Sequence, residues 1–160
     1  MSLTEMLLSV VIMIVVICGV AVNYTNVRER NQEHQTMQSL EILRANIEQI
    51  YGRGPYTGIS NETLLKAGAV PRALQSGTSD IKTHWGEVTV SASDTTYSLS
   101  LASLPPSACR SVTNLATQSW QSVNVGDLRI YNRADNTQVT PSAVLTACSG
   151  ASNTVTFTGP

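Results

Sequence analysis

The sequence predicts an α+β protein in which one long N-terminal helix packs against an antiparallel β-sheet, with short extra helices and one disulfide. Three observations predict this class. The first fifty or so residues hold a long apolar run and then a charged, periodic stretch, with no proline. After Gly52, Ser, Thr, Gly and Pro separate short apolar runs, and two cysteines lie in this second region. We therefore expect a helix followed by a small sheet domain.

The apolar run extends from Met6 to Val22 and is interrupted only by Ser9 and Gly19. Charged residues are absent from the sequence between Glu5 and Arg28. A helix of about 17 residues spans roughly 25 Å, close to the thickness of a bilayer's hydrocarbon core. A secretory signal peptide would carry basic residues before the run and a small-x-small cleavage site after it. Neither is present, so the run is expected to insert in a membrane and to stay there.

Glu5 lies immediately before the apolar run. A carboxylate at the centre of a membrane costs about 2.5–3.5 kcal/mol, and less near the edge, so such a residue usually has a functional reason. The structural alternative is an acid at a helix start, where the positive end of the helix dipole stabilises it. Both interpretations stay open on these residues alone.

The apolar run continues into an amphipathic stretch, whose apolar residues follow a 3-3-4-3 spacing and so share one helical face: Met37, Leu40, Leu43, Ile47 and Ile50. Gly52 and Gly54-Pro55 then end the helix. One helix of about fifty residues would be about 75 Å long, and its first half cannot pack on a domain of about 110 residues. That half must be buried in lipid or in other copies of the chain.

The region after the helix carries the signals of a sheet with short helices. Strands are expected at Glu87–Ala92 and Thr95–Leu104, with a turn at Asp94, and at 128–131 and 154–157. Ser60 or Asn61 can cap a short helix that ends at Gly68, and Thr140-Pro141 can start another that reaches Cys148. A longer helix, capped by Ser107, is expected to run to about Val123.

The three cysteines divide by position. Cys18 lies in the apolar run and is expected to be a small buried hydrophobe. Cys109 and Cys148 lack CxxC spacing, and the only two histidines lie far from them, so a zinc site lacks ligands. A disulfide between Cys109 and Cys148 is the better interpretation, and it implies an oxidising compartment such as the periplasm.

Composition and motifs exclude several classes of function. The formal net charge is −1, which gives no electrostatic footprint for nucleic acid. The sequence contains no GxSxG, HExxH or phosphate-binding loop. The segment 132–136 could bind calcium, but a polar hairpin tip is the commoner use of such residues. No catalytic residue, cofactor site or metal site is predicted.

An apolar N-terminal helix, an acid at position five and a disulfide-closed C-terminal domain together resemble the type IV pilins. The N-terminal Met-Ser-Leu-Thr-Glu is similar to the start of processed type IVb pilins. Later segments resemble the major, PilS-type pilins of plasmid-encoded conjugative thin pili: residues 60–71 (SNETLLKAGAVP), 85–90 (WGEVTV) and 104–109 (LPPSAC). This chain departs from the pattern at Glu87, where relatives often have glycine. It also lacks the proline near position 22 that type IVa pilins carry.

The resemblance implies a function and a set of partners. A prepilin peptidase would remove a basic leader, and the new N-terminal amine, that of Met1, would be methylated. Residues 1–24 would anchor the chain in the inner membrane and later form the filament core, 25–52 would be the amphipathic half of the helix, and 53–160 the globular pilin head domain. Met1 and Glu5 would direct assembly of a homopolymer, which a pilus machinery with its own ATPase would carry out. We expect the amine of Met1 to meet the carboxylate of Glu5 in a neighbouring subunit or in the same chain, because a charge buried in an apolar bundle needs an opposite charge.

The implied product is an extracellular filament on the bacterial surface that promotes contact between mating cells and adhesion. Two alternatives are kept. A minor pilin or a type II secretion pseudopilin would share the anchor and the acid. A periplasmic enzyme on a single-span anchor would need converging titratable groups, which the sequence does not display.

Overall fold

The computed structural model describes residues 2–52 and 54–159, with the side chains of all of these except 22–26 and 29. These residues contain four α-helices and seven strands. The helices are α1 (Leu3–Tyr51), α2 (Asn61–Lys66), α3 (Pro106–Ser119) and α4 (Pro141–Ala147), with a 3-10 helix at Arg72–Leu74. The strands are β1 (Gln75–Ser76), β2 (Asp80–Lys82), β3 (Glu87–Ala92), β4 (Tyr97–Leu104), β5 (Ser122–Val125), β6 (Leu128–Asn132) and β7 (Asn153–Gly159).

The chain divides into two compact units, Met1–His34 and Gln35–Pro160. The first contains the first part of α1, and the second contains the rest of α1 with all other elements. The boundary lies inside α1 because the residues from Thr36 onward bury side chains against the sheet region. The sequence division at residue 52 follows the end of the helix instead, and it stays a prediction about domain organisation.

The seven strands form one antiparallel sheet in the order β1-β2-β3-β4-β7-β5-β6. Strand β7, the last in the chain, lies at the centre between β4 and β5. Alternation determines which side chains face the core, because successive side chains of a strand point to opposite faces. In β4, Tyr97, Leu99 and Leu101 are fully buried, whereas Ser98 and Ser100 are partly exposed. The antiparallel sheet of the predicted fold class is confirmed.

The amphipathic half of α1 supplies one side of the core. Met37, Leu40, Leu43 and Ile47 are buried, as their spacing predicts, but Ile50 is 49% exposed. The prediction was wrong at Ile50, because a 3.6-residue period places the next core position after Ile47 at Tyr51. Tyr51 is indeed half-buried and packs against the core cluster.

Helix α3 ends earlier than predicted. It stops at Ser119, and Val123 lies instead in strand β5, where it pairs with Phe157 of β7. The start was also wrong: Pro105 occupies the N-cap position and Pro106 begins the helix, so Ser107 is already helical. Trp120 and Val123 fit a helical face as well as a strand. The hydrogen bonds that β7 offers to β5 decide between the two.

The two short helices begin as predicted. The Ser60 hydroxyl accepts a hydrogen bond from the backbone N–H of Thr63 at 3.2 Å, and this caps α2. The Thr140 hydroxyl accepts from the N–H of Ala143 at 3.4 Å, and Pro141 follows as the first residue of α4. Each cap satisfies an N–H group that the helix cannot satisfy itself.

Candidate functional site

The start of α1 holds the Glu5 carboxylate in place. The backbone N–H of Ser2, the residue before the helix, donates a hydrogen bond to Oε2 of Glu5 at 3.2 Å. This is one half of a capping box, in which the third helical residue reaches back to the N-cap backbone. The role of Ser2 was not predicted, although Ser2-Leu3-Thr4-Glu5 has the S-x-x-E spacing that indicates it.

Polar groups near the apolar run are satisfied within the chain. The Ser9 hydroxyl donates to the carbonyl of Glu5 at 3.0 Å, and the hydroxyls of Ser2 and Thr4 lie 2.9 Å apart. In lipid or in a bundle of apolar helices an unpaired polar group costs several kcal/mol, so such internal bonds make the segment compatible with an apolar surrounding. The Glu5 carboxylate keeps lone pairs available for a further donor.

Between Met6 and Ala21 the helix surface is apolar on all sides, with Ser9 as the one polar side chain in that range. One helical segment, Leu3–Ala21, is long and apolar enough to cross a membrane, and none of it is buried within the chain. Its large side chains are mostly more than half exposed, as at Leu8 and Met13. Cys18 was expected to be buried, but it is exposed and forms no disulfide. It is exposed because no other element of the described chain packs on the segment Leu3–Ala21. An apolar surface of this size indicates contact with a membrane or with other protein.

Met1, the predicted partner of Glu5, lies outside the described residues. The predicted contact between the amine of Met1 and the carboxylate of Glu5 therefore stays a prediction.

The disulfide joins two helices of the second unit. Cys109 in α3 and Cys148 after α4 are linked at an S–S distance of 2.05 Å, and both are buried. Their Cα atoms are 5.7 Å apart, an ordinary separation for a disulfide. The link closes the segment that carries β5, β6 and α4, and the predicted single disulfide is confirmed.

A polar cluster joins α1 to the sheet. Arg44 Nε donates to Oε1 of Glu48 at 3.0 Å, and Arg44 Nη1 donates to the carbonyl of Ser119 at the end of α3. The guanidinium carbon of Arg44 lies 5.0 Å from the ring centroid of the buried Trp120, a cation–π distance. The hydroxyl of Tyr97 donates to the same Glu48 oxygen at 3.0 Å. This cluster was not predicted, because Tyr97 and Ser119 are far from Arg44 and Glu48 in the chain.

The remaining acidic residues, histidines and cysteines were compared with the requirements of a metal site. In residues 2–52 and 54–159, no group of three or more His, Cys, Asp or Glu side chains is placed to hold a metal ion. Residues 133–136 form the turn that follows β6 and leads towards α4, and the prediction of a hairpin tip at 132–136 was wrong because, in the described residues, no strand follows this turn before α4. Oδ2 of Asp135 accepts from Asn132 Nδ2 at 2.8 Å and from Arg129 Nη1 at 3.2 Å, and these bonds hold the turn together.

The fold resembles two solved pilin structures. The type IV b pilin from Salmonella typhi superposes with a TM-score of 0.57 at 17% identity, and the match covers 75% of this chain and 94% of that one. TcpA, a type IV pilin from the El Tor biotype of Vibrio cholerae, superposes with a TM-score of 0.60 at 16% identity. This match covers 81% of the present chain and 99% of TcpA. The fold is therefore that of the type IVb pilins.

The family of the chain follows from a match to a protein-family model. A model of the PilS N terminal family matches residues 28–159, which is most of the chain, and the protein belongs to this family. A direct comparison with curated protein sequences found no significant match. The predicted fold class and the predicted relation to PilS-type type IVb pilins are both confirmed.

Proposed function

We propose that the chain is the major structural subunit of a type IVb pilus and polymerises through its N-terminal helix. One observation carries the proposal: α1 begins with a 19-residue segment, Leu3–Ala21, that is strongly apolar on average and wholly uncovered in the single chain. Such a surface needs lipid before assembly and other copies of the same helix after it. Family membership supports a subunit of a filament over an enzyme, and no catalytic residue is assigned.

The proposed life cycle follows from the family resemblance. A prepilin peptidase removes a basic leader, the amine of Met1 is methylated, and the chain waits in the inner membrane. The assembly machinery then moves it into an extracellular filament. In this proposal residues 1–24 form the anchor and the filament core, 25–52 the amphipathic half of the helix, and 53–160 the head domain.

Glu5 sets the register of assembly in this proposal. Its carboxylate enters an apolar bundle, and an unpaired charge there costs several kcal/mol. The Ser2 N–H supplies one neutral donor, and the amine of Met1, from a neighbouring subunit or the same chain, supplies the positive charge. At a separation of about 4 Å and an effective dielectric constant of about 20, this pair gains roughly 4 kcal/mol.

The filament promotes contact between mating cells, and more generally adhesion, in this proposal. This part rests on the resemblance to pilins of conjugative thin pili at residues 60–71, 85–90 and 104–109. The test is a deletion of the gene, complemented by the wild-type chain. Filaments sheared from complemented cells and imaged by electron microscopy should contain this chain as the most abundant protein. Mating frequency in liquid should fall without it and return with it.

Two outcomes would change the proposal. A filament in which this chain is present at only a few copies would make it a minor pilin or pseudopilin. Abundant filaments with an unchanged mating frequency would remove the conjugative role and leave adhesion to be tested on surfaces.

A further inference from the structure

Two arginines follow the apolar segment Leu3–Ala21 on α1. Arg28 is the first charged residue after Glu5, and Arg30 lies two positions further along the helix. Both side chains are exposed, and neither forms an ion pair or a hydrogen bond with the side chains that the structure describes. A guanidinium has several N–H donors, so these two groups are available to an acceptor from outside the chain.

The helix geometry places both arginines close to the level of lipid headgroups. Measured from Ala21, where the apolar segment ends, a rise of about 1.5 Å per residue puts the backbone of Arg28 about 10 Å and that of Arg30 about 14 Å further along the axis. The headgroup layer beyond the hydrocarbon core is roughly 5–7 Å thick on each side of a bilayer. Helical side chains lean toward the N-terminus, so a long arginine side chain can reach back into this layer while its backbone stays in water.

The two arginines face different sides of the helix. At 3.6 residues per turn, two positions correspond to a rotation of about 200°, so Arg28 and Arg30 point in nearly opposite directions. Each guanidinium therefore meets its own surrounding lipids, and one phosphate cannot serve both. Contacts on opposite sides hold a helix upright better than two contacts on the same side.

The net charge of this stretch does not by itself attract an anionic surface. Glu29 and Glu33 lie in the same stretch, so its two negative charges match its two positive ones. The order of the charges favours the membrane, because an arginine comes first and Glu33 lies about 18 Å beyond Ala21 along the axis. An attraction to lipid phosphates therefore depends on the depth of each arginine and not on the number of charges.

We infer that Arg28 and Arg30 bind the phosphates of anionic phospholipids while the chain is anchored in the membrane. A guanidinium stays charged at all physiological pH values, and its planar fork of N–H donors matches the oxygens of a phosphate. The partner is a lipid headgroup because the two arginines continue directly from the segment that the hydrocarbon core covers. The inference rests on the proposed membrane anchoring and deepens it by naming the lipid class and the residues that bind it.

This contact sets the depth of the helix and, with it, the position of Glu5. Glu5 lies 16 residues before Ala21, so it is about 24 Å from the edge at Ala21 and about 6 Å from the opposite edge of a 30 Å core. A carboxylate costs less near the edge of a membrane than at its centre. A slide of one turn that lifted the arginines off the phosphates would draw Glu5 about 5 Å deeper.

The lipid preference of the full chain in vesicles tests the inference. The purified chain is reconstituted in phosphatidylcholine vesicles, and electron paramagnetic resonance compares the association of spin-labelled phosphatidylglycerol with that of spin-labelled phosphatidylcholine. We expect the wild-type chain to prefer phosphatidylglycerol. Arg28→Gln/Arg30→Gln should lower this preference about threefold or more, because each basic residue near the surface contributes separately.

Three variants separate depth from charge. Arg72→Gln/Arg133→Gln removes the same charge from exposed positions of the second unit and should keep the wild-type preference. Arg28→Lys/Arg30→Lys keeps both cations and should retain most of it. The exchange Arg30→Glu/Glu33→Arg keeps the net charge but moves one cation about 4.5 Å further from the apolar segment, so the preference should fall.

The outcomes separate this inference from the proposed function. Equal preferences for the wild-type chain and Arg28→Gln/Arg30→Gln would overturn the lipid contact and leave the pilus subunit standing. An equal loss in Arg72→Gln/Arg133→Gln, or no loss in the exchange variant, would also overturn it, because overall charge would then decide. Cells without filaments, from a chain that keeps its lipid preference, would overturn the proposed function alone. A wild-type chain that does not span the vesicle membrane would overturn both.

Discussion

The hydroxyl of Tyr97 donates a hydrogen bond to Oε1 of Glu48 at 3.0 Å, and this bond connects strand β4 to helix α1. The same carboxylate oxygen accepts from Arg44, so one glutamate holds a tyrosine of the sheet and an arginine of its own helix. The bond lies at the point where the amphipathic half of α1 meets the core.

Burial, together with the negative charge of Glu48, raises the pKa of Tyr97 well above its ordinary value of 10.0. As the pH rises past about 10, the unfolded chain releases this proton and the folded chain keeps it. The folded state then binds more protons, so the stability falls as the pH rises. Tyr97→Phe should make this fall shallower, and it should cost about 1 kcal/mol at neutral pH through the lost hydrogen bond.

Denaturant unfolding of the detergent-solubilised chain between pH 8 and 12 measures the Tyr97 effect. Thr89→Ala, at an exposed position of β3, is the control and should keep the wild-type slope. Equal slopes for wild type and Tyr97→Phe would contradict the assignment.

Loss of the disulfide should destabilise the second unit. Cys109 and Cys148 are 39 residues apart, and a loop of this length corresponds to about 4 kcal/mol in the chain-entropy account. We expect Cys109→Ser to lower the free energy of unfolding by about this amount and to reduce the pilin that reaches filaments, with synthesis unchanged. Cys18→Ser controls for loss of a thiol. Free thiols at positions 109 and 148 in assembled filaments, detected by mass spectrometry, would refute the prediction.

The neutral variant Glu5→Gln tests the charge at the start of α1. Gln can still accept the Ser2 hydrogen bond, so membrane insertion should be retained. Under the proposed pairing the amine of Met1 would lose its counter-charge, so assembly should drop at least tenfold. The amount of filament and the axial rise are measured by electron microscopy. Glu62→Gln, an exposed carboxylate of α2, is the control. Unchanged filament amount and rise would leave Glu5 as a helix-start acid only.

Gly86 has no space for a side chain. A Cβ atom at this position would lie 2.8 Å from the backbone oxygen of Ala102 and 3.0 Å from Cβ of Ser103, on the irregular part of β4. Backbone must move to relieve such a contact, so Gly86→Ala should destabilise the chain by about 1–3 kcal/mol. Thermal unfolding measures this, with Ser91→Ala on β3 as the control. A variant as stable as wild type would show that β4 adapts freely.

The elements that the sequence predicts well are those with a sustained period. Such a period is present in helix α1, in strand β3 and in most of β4. Their predicted bounds agree closely with the structure. Strands β1 and β2 contain two and three residues and cannot show a period. The predicted end of α3 was wrong because Trp120 and Val123 fit both the helical period and the strand period. Only the pairing of β5 with the distant β7 decides between helix and strand.

The candidate site divides in a similar way. Glu5 is visible in the sequence because a charge beside an apolar run is unusual, and Ser2 was missed although its spacing is a local signal. The cluster of Arg44, Glu48 and Tyr97 could not be predicted, because Glu48 and Tyr97 are 49 positions apart and meet only in the folded chain.

The central position of β7 has a consequence for synthesis. Strands β4 and β5 each pair with β7 and lack any direct pairing with each other, so the sheet stays in two pieces until residues 153–159 have been made. A chain that stops before β7 cannot join these pieces, and it leaves the edges of β4 and β5 without their partner and exposed to proteases. Synthesis must therefore reach residue 159 before the sheet can close.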